Sequence, residues 1–247
     1  MQFLSIYAEM SSNMQAVISS LRLNIDLMQN SHSNMQALIQ ALGLICQQIS
    51  PVQGETNHYH QILPALFKGV DCLNESNFVR LTSLQAINNT IASAPAVVVT
   101  GYCDRIVNIL HEATFSHDIR IRQEALGCLG TIANDYYGSL GECNEALMKV
   151  TFKAMKNDVE PVAVKAIEFW QFISINEFDI ELRRGPSGAQ SRHLVKGKHA
   201  ALVDALLKTL KRQHVSLGIS KAALVPNYRS STLHEHGICS ECCLCVL

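Results

Sequence analysis

Residues 125–132 read Ala-Leu-Gly-Cys-Leu-Gly-Thr-Ile, and related apolar segments begin near residues 38, 83 and 166. One aliphatic column runs through the four segments, with spacings of 45, 42 and 41 residues: Ile39, Leu84, Leu126 and Ile167. A repeat of this length is typical of helical arrays, in which each unit buries its apolar face against its neighbours.

A second series of apolar stripes lies upstream of the later segments and once more beyond the last one. Its members are mostly apolar at i, i+1, i+4, i+5 and i+8, which places these residues on one side of a helix. The stripes begin at Ile62, Leu147 and Leu202, with a weaker copy at Ile106. The repeating unit is therefore a helical hairpin, and we predict an all-α solenoid of the HEAT/armadillo-type helical-repeat class, an α-α superhelix with four to five hairpins.

The stripes and the helix-breaking prolines give approximate helix bounds. We expect the helices at residues 14–28, 35–49, 59–72, 78–94, 102–115, 119–135, 143–155, 161–176 and 199–213. Pro51 and Pro95 end two of them, and Pro161 suits a first helical turn. Four residues of the inner helices should be buried between neighbouring units: Leu42, Ile87, Leu129 and Ile173.

Periodicity divides the chain into three regions. Residues 1–33 form a poorly defined N-terminal segment that could supply an outer helix. Residues 34–213 carry the repeat array, interrupted at 178–198 by a polar insertion that predicts an irregular, mobile surface loop. Residues 214–247 form an irregular tail that contains cysteines and lacks a helical stripe.

Composition narrows the class of partner and the compartment. The chain has 247 residues, 48% of them hydrophobic, and a net charge of −1, so no global field favours nucleic acid or an anionic membrane. No apolar run is long enough to predict membrane insertion. Nine cysteines are scattered along the chain, and Cys46 and Cys128 occupy apolar helical positions. We therefore expect reduced thiols in a soluble intracellular protein.

Two groups of residues could suggest a metal site. His111 and Glu112 begin a zinc-protease pattern, but the second histidine position is Phe115. The tail combines histidines with a cysteine cluster, although no second correctly spaced pair completes a zinc motif. Its residues are His234, His236, Cys239, Cys242, Cys243 and Cys245. We expect no metal ligands, and a zinc-tail regulatory protein remains the less favoured alternative.

No pattern predicts catalysis. The chain has no glycine-rich phosphate loop, nucleophile elbow or paired carboxylates in an evident cleft, so we expect neither an enzyme nor a cofactor. The aromatic pair Phe169 and Trp170 favours core packing over a ligand site.

Residues 154–158 read Ala-Met-Lys-Asn-Asp, and residues 166–170 read Ala-Ile-Glu-Phe-Trp. In this order the two segments resemble the importin-β (karyopherin-β1) family of nuclear transport receptors. Residues 41–51, 111–114 and 135–137 support the likeness, which covers about residues 30–213. The resemblance implies a truncated fragment of the N-terminal HEAT-repeat region of that family.

The resemblance also implies a function. Members of the family carry protein into the nucleus, and their partners are phenylalanine-glycine (FG) repeat nucleoporins, the GTPase Ran, and cargo or an importin-α-type adaptor. The implied location is the cytoplasm and the nucleus, including the nuclear pore and envelope.

In the family, nucleoporin phenylalanines enter apolar slots between successive outer helices. The matching positions here are Leu63, Phe67, Ile106, Leu147 and Val150. The alternative, that these residues only pack helix against helix, stays open. Arg105 stands where the family presents an aromatic residue beside Ile106, which puts that slot in question.

Larger departures from the family concern whole segments. The first repeats are missing apart from the helix at 14–28, residues 214–218 replace the acidic loop expected after Gln213, and the C-terminal arch is absent. A truncated, non-transporting HEAT-repeat scaffold is therefore the main alternative.

Overall fold

The computed structural model describes residues 2–27, 32–48, 56–71, 76–140, 144–182 and 190–216. Within these ranges the secondary structure consists of α-helices and one 3-10 turn at Tyr137–Ser139, without strands. The helices are α1 (Gln2–Leu27), α2 (His32–Gln48), α3 (Asn57–Asp71), α4 (Asn77–Ser93), α5 (Ala96–Ala113), α6 (Ile119–Asp135), α7 (Asn144–Asn157), α8 (Glu160–Glu181) and α9 (His199–Ser216). The all-α prediction is confirmed. The tail cysteines lie outside the described residues.

The helices form two layers. The odd-numbered helices pack beside one another in an outer layer, and α2, α4, α6 and α8 form an inner layer with closer contacts. Each outer helix up to α7 is followed by its inner partner, as a HEAT-type solenoid requires. Leu42, Ile87, Leu129 and Ile173 are each 0% exposed, so their predicted burial is confirmed. Burying these stripes supplies most of the driving force for stacking.

Local chemistry defines the helix ends. The Asp118 side chain accepts a hydrogen bond of 2.9 Å from the Arg120 N–H and caps α6. Pro161 lies in the first turn of α8, as predicted. Pro95 separates α4 from α5, which begins at Ala96, earlier than the predicted residue 102. Proline has no backbone N–H group and therefore leaves no donor unpaired at the start of a helix. Pro95 can thus both end α4 and precede α5.

The connection between α8 and α9 differs from the predicted surface loop. Helix α8 continues to Glu181, so residues 178–181 are helical, and residues 183–189 lie outside the described part of the chain. Leu194 and Val195 are buried, and their backbone N–H groups donate to the Glu177 carboxylate. The Tyr137 hydroxyl donates to the same carboxylate at 2.8 Å. Leu194 and Val195 therefore anchor the segment before α9 on the array.

Two glycines permit the close packing of α2, α3 and α4. A Cβ atom at Gly69 would lie 2.1 Å from Ser83 Oγ and 2.8 Å from Ile39 Cδ1. A Cβ atom at Gly43 would lie 2.9 Å from that of Ala86. All three distances are shorter than van der Waals contact, so these two positions need glycine for lack of space.

Hydrogen bonds also join successive repeats. The hydroxyl of Tyr136, the residue directly after α6, donates to the Ile91 carbonyl of α4 at 3.0 Å. Within the fourth hairpin, the Trp170 indole N–H donates to Thr151 Oγ1 at 3.0 Å, and the indole is 2% exposed. The prediction that Trp170 packs in the core is confirmed.

Candidate functional site

The five residues predicted to form nucleoporin slots are all largely covered. Their side chains lie between helices, with exposures of 1% for Leu63, 0% for Phe67, 1% for Ile106, 2% for Leu147 and 8% for Val150. An apolar side chain on this surface can contact a ligand only where neighbouring outer helices leave space between them. The openings beside α5 therefore decide which of these residues a ligand can reach.

The space between α3 and α5 is closed by side chains of α5. The Arg105 guanidinium carbon lies 4.7 Å from the centroid of the Phe67 ring, at a distance suited to a cation-π contact. The Tyr102 ring lies 6.0 Å from the same ring, and the Tyr102 hydroxyl is 3.2 Å from His60 Nδ1. Arg105 and Tyr102 thus cover Phe67.

The space between α5 and α7 is open. These helices meet less closely than the other neighbouring pairs of the outer layer. A cavity of about 350 Å³ lies beside the turn between α5 and α6, where α6 faces α7 and α8, and Phe115, Leu126, Val150 and Val162 are among its lining residues. It continues along the surface past His111, Ala146 and Lys149. We call this opening the α5–α7 groove; of the predicted slot residues, it includes Val150.

Phe115 is the principal apolar feature of the α5–α7 groove. Its side chain is 56% exposed just after the end of α5. The His111 ring meets it edge-on with centroids 5.1 Å apart, and Lys153 Nζ lies 5.7 Å from its centroid. One face of the ring is thus bordered by a cation, while more than half of the side chain is accessible to a ligand.

An ion pair fixes the wall of the groove beside Phe115. Arg122 Nη1 donates to the Ser116 and His117 carbonyls at 2.9 and 3.1 Å, while its other nitrogens bind Asp158. Burial alone would raise the pKa of the Asp158 carboxyl, but the hydrogen bonds and the charge of Arg122 outweigh burial and hold the pKa below its usual value. The segment after Phe115 is therefore firmly held.

Sequence reasoning missed the importance of Phe115. In the sequence, Phe115 stands out only because it interrupts the histidine pattern that starts at His111. The sequence does show an aromatic residue directly after the apolar stripe of α5, outside the pattern that predicts core positions. The lysines Lys149 and Lys153 were also missed, because charged residues on an outer helix usually indicate only a solvated face.

The described part of the chain offers neither a metal-binding cluster nor a helix suited to cross a membrane. No group of three or more metal-ligating side chains comes together among those residues. The histidines and cysteines of the tail fall outside them. None of the helices that the structure describes combines the length and apolar character needed to cross a bilayer.

No family model matches the chain, but sequence comparison identifies homologous proteins. The chain is 32% identical over 194 residues to importin subunit beta-1 of Arabidopsis thaliana, an alignment that covers 76% of this chain and 22% of the relative. It is 31% identical over 185 residues to importin subunit beta-1 of Saccharomyces cerevisiae, covering 72% and 22%. The chain spans about a fifth of the length of these relatives.

Structural comparison agrees. The structure of yeast importin-β (Kap95p) matches with a TM-score of 0.70 and 26% identity, covering 80% of this chain and 24% of that one. A Kap95:Nup1 complex matches at 0.69 with 28% identity, covering 80% and 24%, and a complex of Kap95p with RanGDP matches at 0.66 with 28% identity, covering 79% and 23%. Sequence identity and the shared HEAT solenoid together place this chain in the importin-β family.

Proposed function

We propose that this chain acts in nuclear transport as a receptor module that binds FG-repeat nucleoporin segments in the α5–α7 groove. The observation that carries the proposal is the open space beside Phe115 and Val150, between two successive outer helices of an importin-β-type solenoid. Kap95, a member of the family, is known in complex with Nup1, which supports this class of partner.

The burial of one phenylalanine side chain in the groove would give weak binding, which suits a ligand with many repeats. A phenylalanine side chain that leaves water for an apolar site gains about 1.5–3 kcal/mol, and the cost of association cancels much of this gain. Binding at one groove should therefore be weak and rapidly reversible. Several such contacts along a repeat-containing partner would act together.

Ran, and cargo or an importin-α-type adaptor, belong to the same proposal. The complex of Kap95p with RanGDP supports Ran as a partner class for the family. The present chain spans about a fifth of the length of its relatives, so each of these interactions needs its own test. The proposed location is the cytoplasm and nucleus, including the nuclear pore.

A matched pair of phenylalanines tests the groove. Phe115 and Phe78 are 56% and 55% exposed, and each lies beneath a cation, Lys153 or Arg120. Immobilised FG-repeat peptide should retain the native protein and the Phe78→Ser variant but not Phe115→Ser. Equal retention of both variants would exclude the groove. No retention of the native protein, with or without Ran loaded with GTP, would favour the non-transporting scaffold.

The slot between α3 and α5 needs a different variant. Phe67 is fully buried, so Phe67→Asp would place a carboxylate in the core, and we expect it to unfold the array. Arg105→Ala removes the cation above Phe67 and should leave the helical signal unchanged. An increase in peptide retention by this variant would show that Arg105 closes a usable slot. Unchanged retention would assign Leu63, Phe67 and Ile106 to packing alone.

A further inference from the structure

We infer that the α5–α7 groove selects phenylalanine residues that have a carboxylate one or two positions away in the ligand. This inference rests on the proposed function and specifies its ligand: an acidic FG segment rather than a neutral or basic one. Three observations support it: the lysines on one face of α7, the pairing of the groove carboxylates with cations of the protein, and the position of Lys153 over the Phe115 ring.

The face of α7 beside the groove is basic. Lys149, Lys153 and Lys156 recur at i, i+4 and i+7 and therefore lie on one side of the helix. Lys149 pairs with Glu145 at 2.8 Å, and Lys156 pairs with Asp204 of α9 at 3.1 Å. Among the described residues, Lys153 has no carboxylate partner, and its ammonium group lies over the ring of Phe115.

Among the described residues, every carboxylate that lines the groove has a cationic partner within the protein. The groove lining includes two acidic residues, Glu145 and Asp158. Glu145 is paired with Lys149, and Asp158 is held by Arg122 through two hydrogen bonds of 2.9 and 2.7 Å. Both negative charges are thus neutralised within the protein, and the charge of Lys153 remains in excess.

The geometry links the apolar and the charged parts of the site. A ligand ring placed against Phe115 and Val150 would bring the adjacent ligand residues beside Lys153, because the three side chains line the same cavity. A ligand carboxylate there would form an ion pair with Lys153. Since this lysine is exposed, the gain should be modest and sensitive to salt.

Fluorescence anisotropy with three labelled peptides tests the inference. The peptides share one Phe-Gly core and differ only in flanking residues, which are acidic, amide or lysine. The acidic peptide should bind roughly fivefold more tightly than the amide peptide in dilute salt, and this difference should shrink at high ionic strength. Equal affinities for the acidic and amide peptides would overturn the inference and leave the proposed function standing. Binding of no peptide would overturn both.

A charge reversal locates the effect. Lys153→Glu should invert the order of the three peptides. Lys211→Glu changes an exposed lysine of α9 outside the groove lining and should preserve the order. Equal losses in the two variants would assign the preference to overall charge and overturn the inference. Circular dichroism should give the same helical signal for both variants, because neither side chain is buried.

Discussion

Arg122 and Asp158 join the third and fourth hairpins through a two-point ion pair. Arg122 Nε and Nη2 lie 2.9 and 2.7 Å from the two carboxylate oxygens, and the side chains are only 17% and 19% exposed. Arg122 opens α6, whereas Asp158 directly follows α7. The pair therefore connects the turns of two repeats beside the α5–α7 groove.

Removing this carboxylate should destabilise the array. Asp158→Ala leaves Arg122 partly buried without its charged partner, and we expect a loss of about 1.5–3 kcal/mol in the free energy of unfolding. Urea denaturation followed by circular dichroism measures it. As a control, Glu145→Ala breaks a pair whose side chains are 75% and 77% exposed, and it should leave the free energy of unfolding nearly unchanged, because water screens this pair. Equal effects would show that the Arg122 pair adds no more than a surface contact.

Acid should remove the same stabilisation. The pKa of Asp158 in the folded protein lies below its ordinary value of 3.8, so its contribution is complete above that value and is lost as the pH falls through the folded pKa. The difference in melting temperature between the native protein and Asp158→Asn should therefore shrink as the pH is lowered from 6 to 3. A difference that grew with acidification would contradict this assignment.

Two glycine substitutions should have opposite effects. Gly69→Ala pushes a methyl group against Ser83, whose hydroxyl is held by the Val79 carbonyl at 2.8 Å, and should cost about 1–3 kcal/mol. Gly101 lies exposed in α5 with no atom within 4 Å of its added Cβ, so Gly101→Ala should stabilise the protein by about 0.5–1 kcal/mol. Urea denaturation of both variants provides the measurement. A stable Gly69→Ala protein would mean that α3 and α4 can move apart at little cost.

The buried thiols should resist alkylation. Burial raises the pKa of Cys46 to about 11 and that of Cys128 well above 9.0, so both are almost wholly protonated at pH 8. Iodoacetamide should label neither residue in the native protein and both in urea, as peptide mass mapping would show. Rapid labelling of Cys128 under native conditions would indicate that the inner layer opens frequently.

The sequence was sufficient to predict the architecture, because the inner stripes record which residues must be buried. The burial of Leu129 and Ile173 follows from the repeat period alone, without information on how neighbouring segments pack. Helix α5 begins earlier than predicted, because its first turns after Pro95 lie ahead of the apolar stripe at Ile106.

The groove could not be predicted in the same way. Whether two outer helices touch or separate depends on their relative orientation, which the stripe of a single helix does not encode. The predicted slot residues follow from the family resemblance and from the apolar character of their positions, and both criteria also select residues such as Phe67 that the array buries. The exposure of Phe115 and the packing of residues 190–198 on Glu177 both depend on contacts between distant segments.

The carboxylate of Glu177 has a mechanical consequence. It binds Tyr137, in the 3-10 turn after α6, and the backbone that leads into α9, so one side chain of α8 joins three parts of the solenoid at a single point. Twisting α9 away from α8 would break several buried hydrogen bonds at once, which makes this junction stiff. Elastic bending of the superhelix should then concentrate where the outer helices touch least, between α5 and α7. A peptide wedged there would alter the curvature of the whole array.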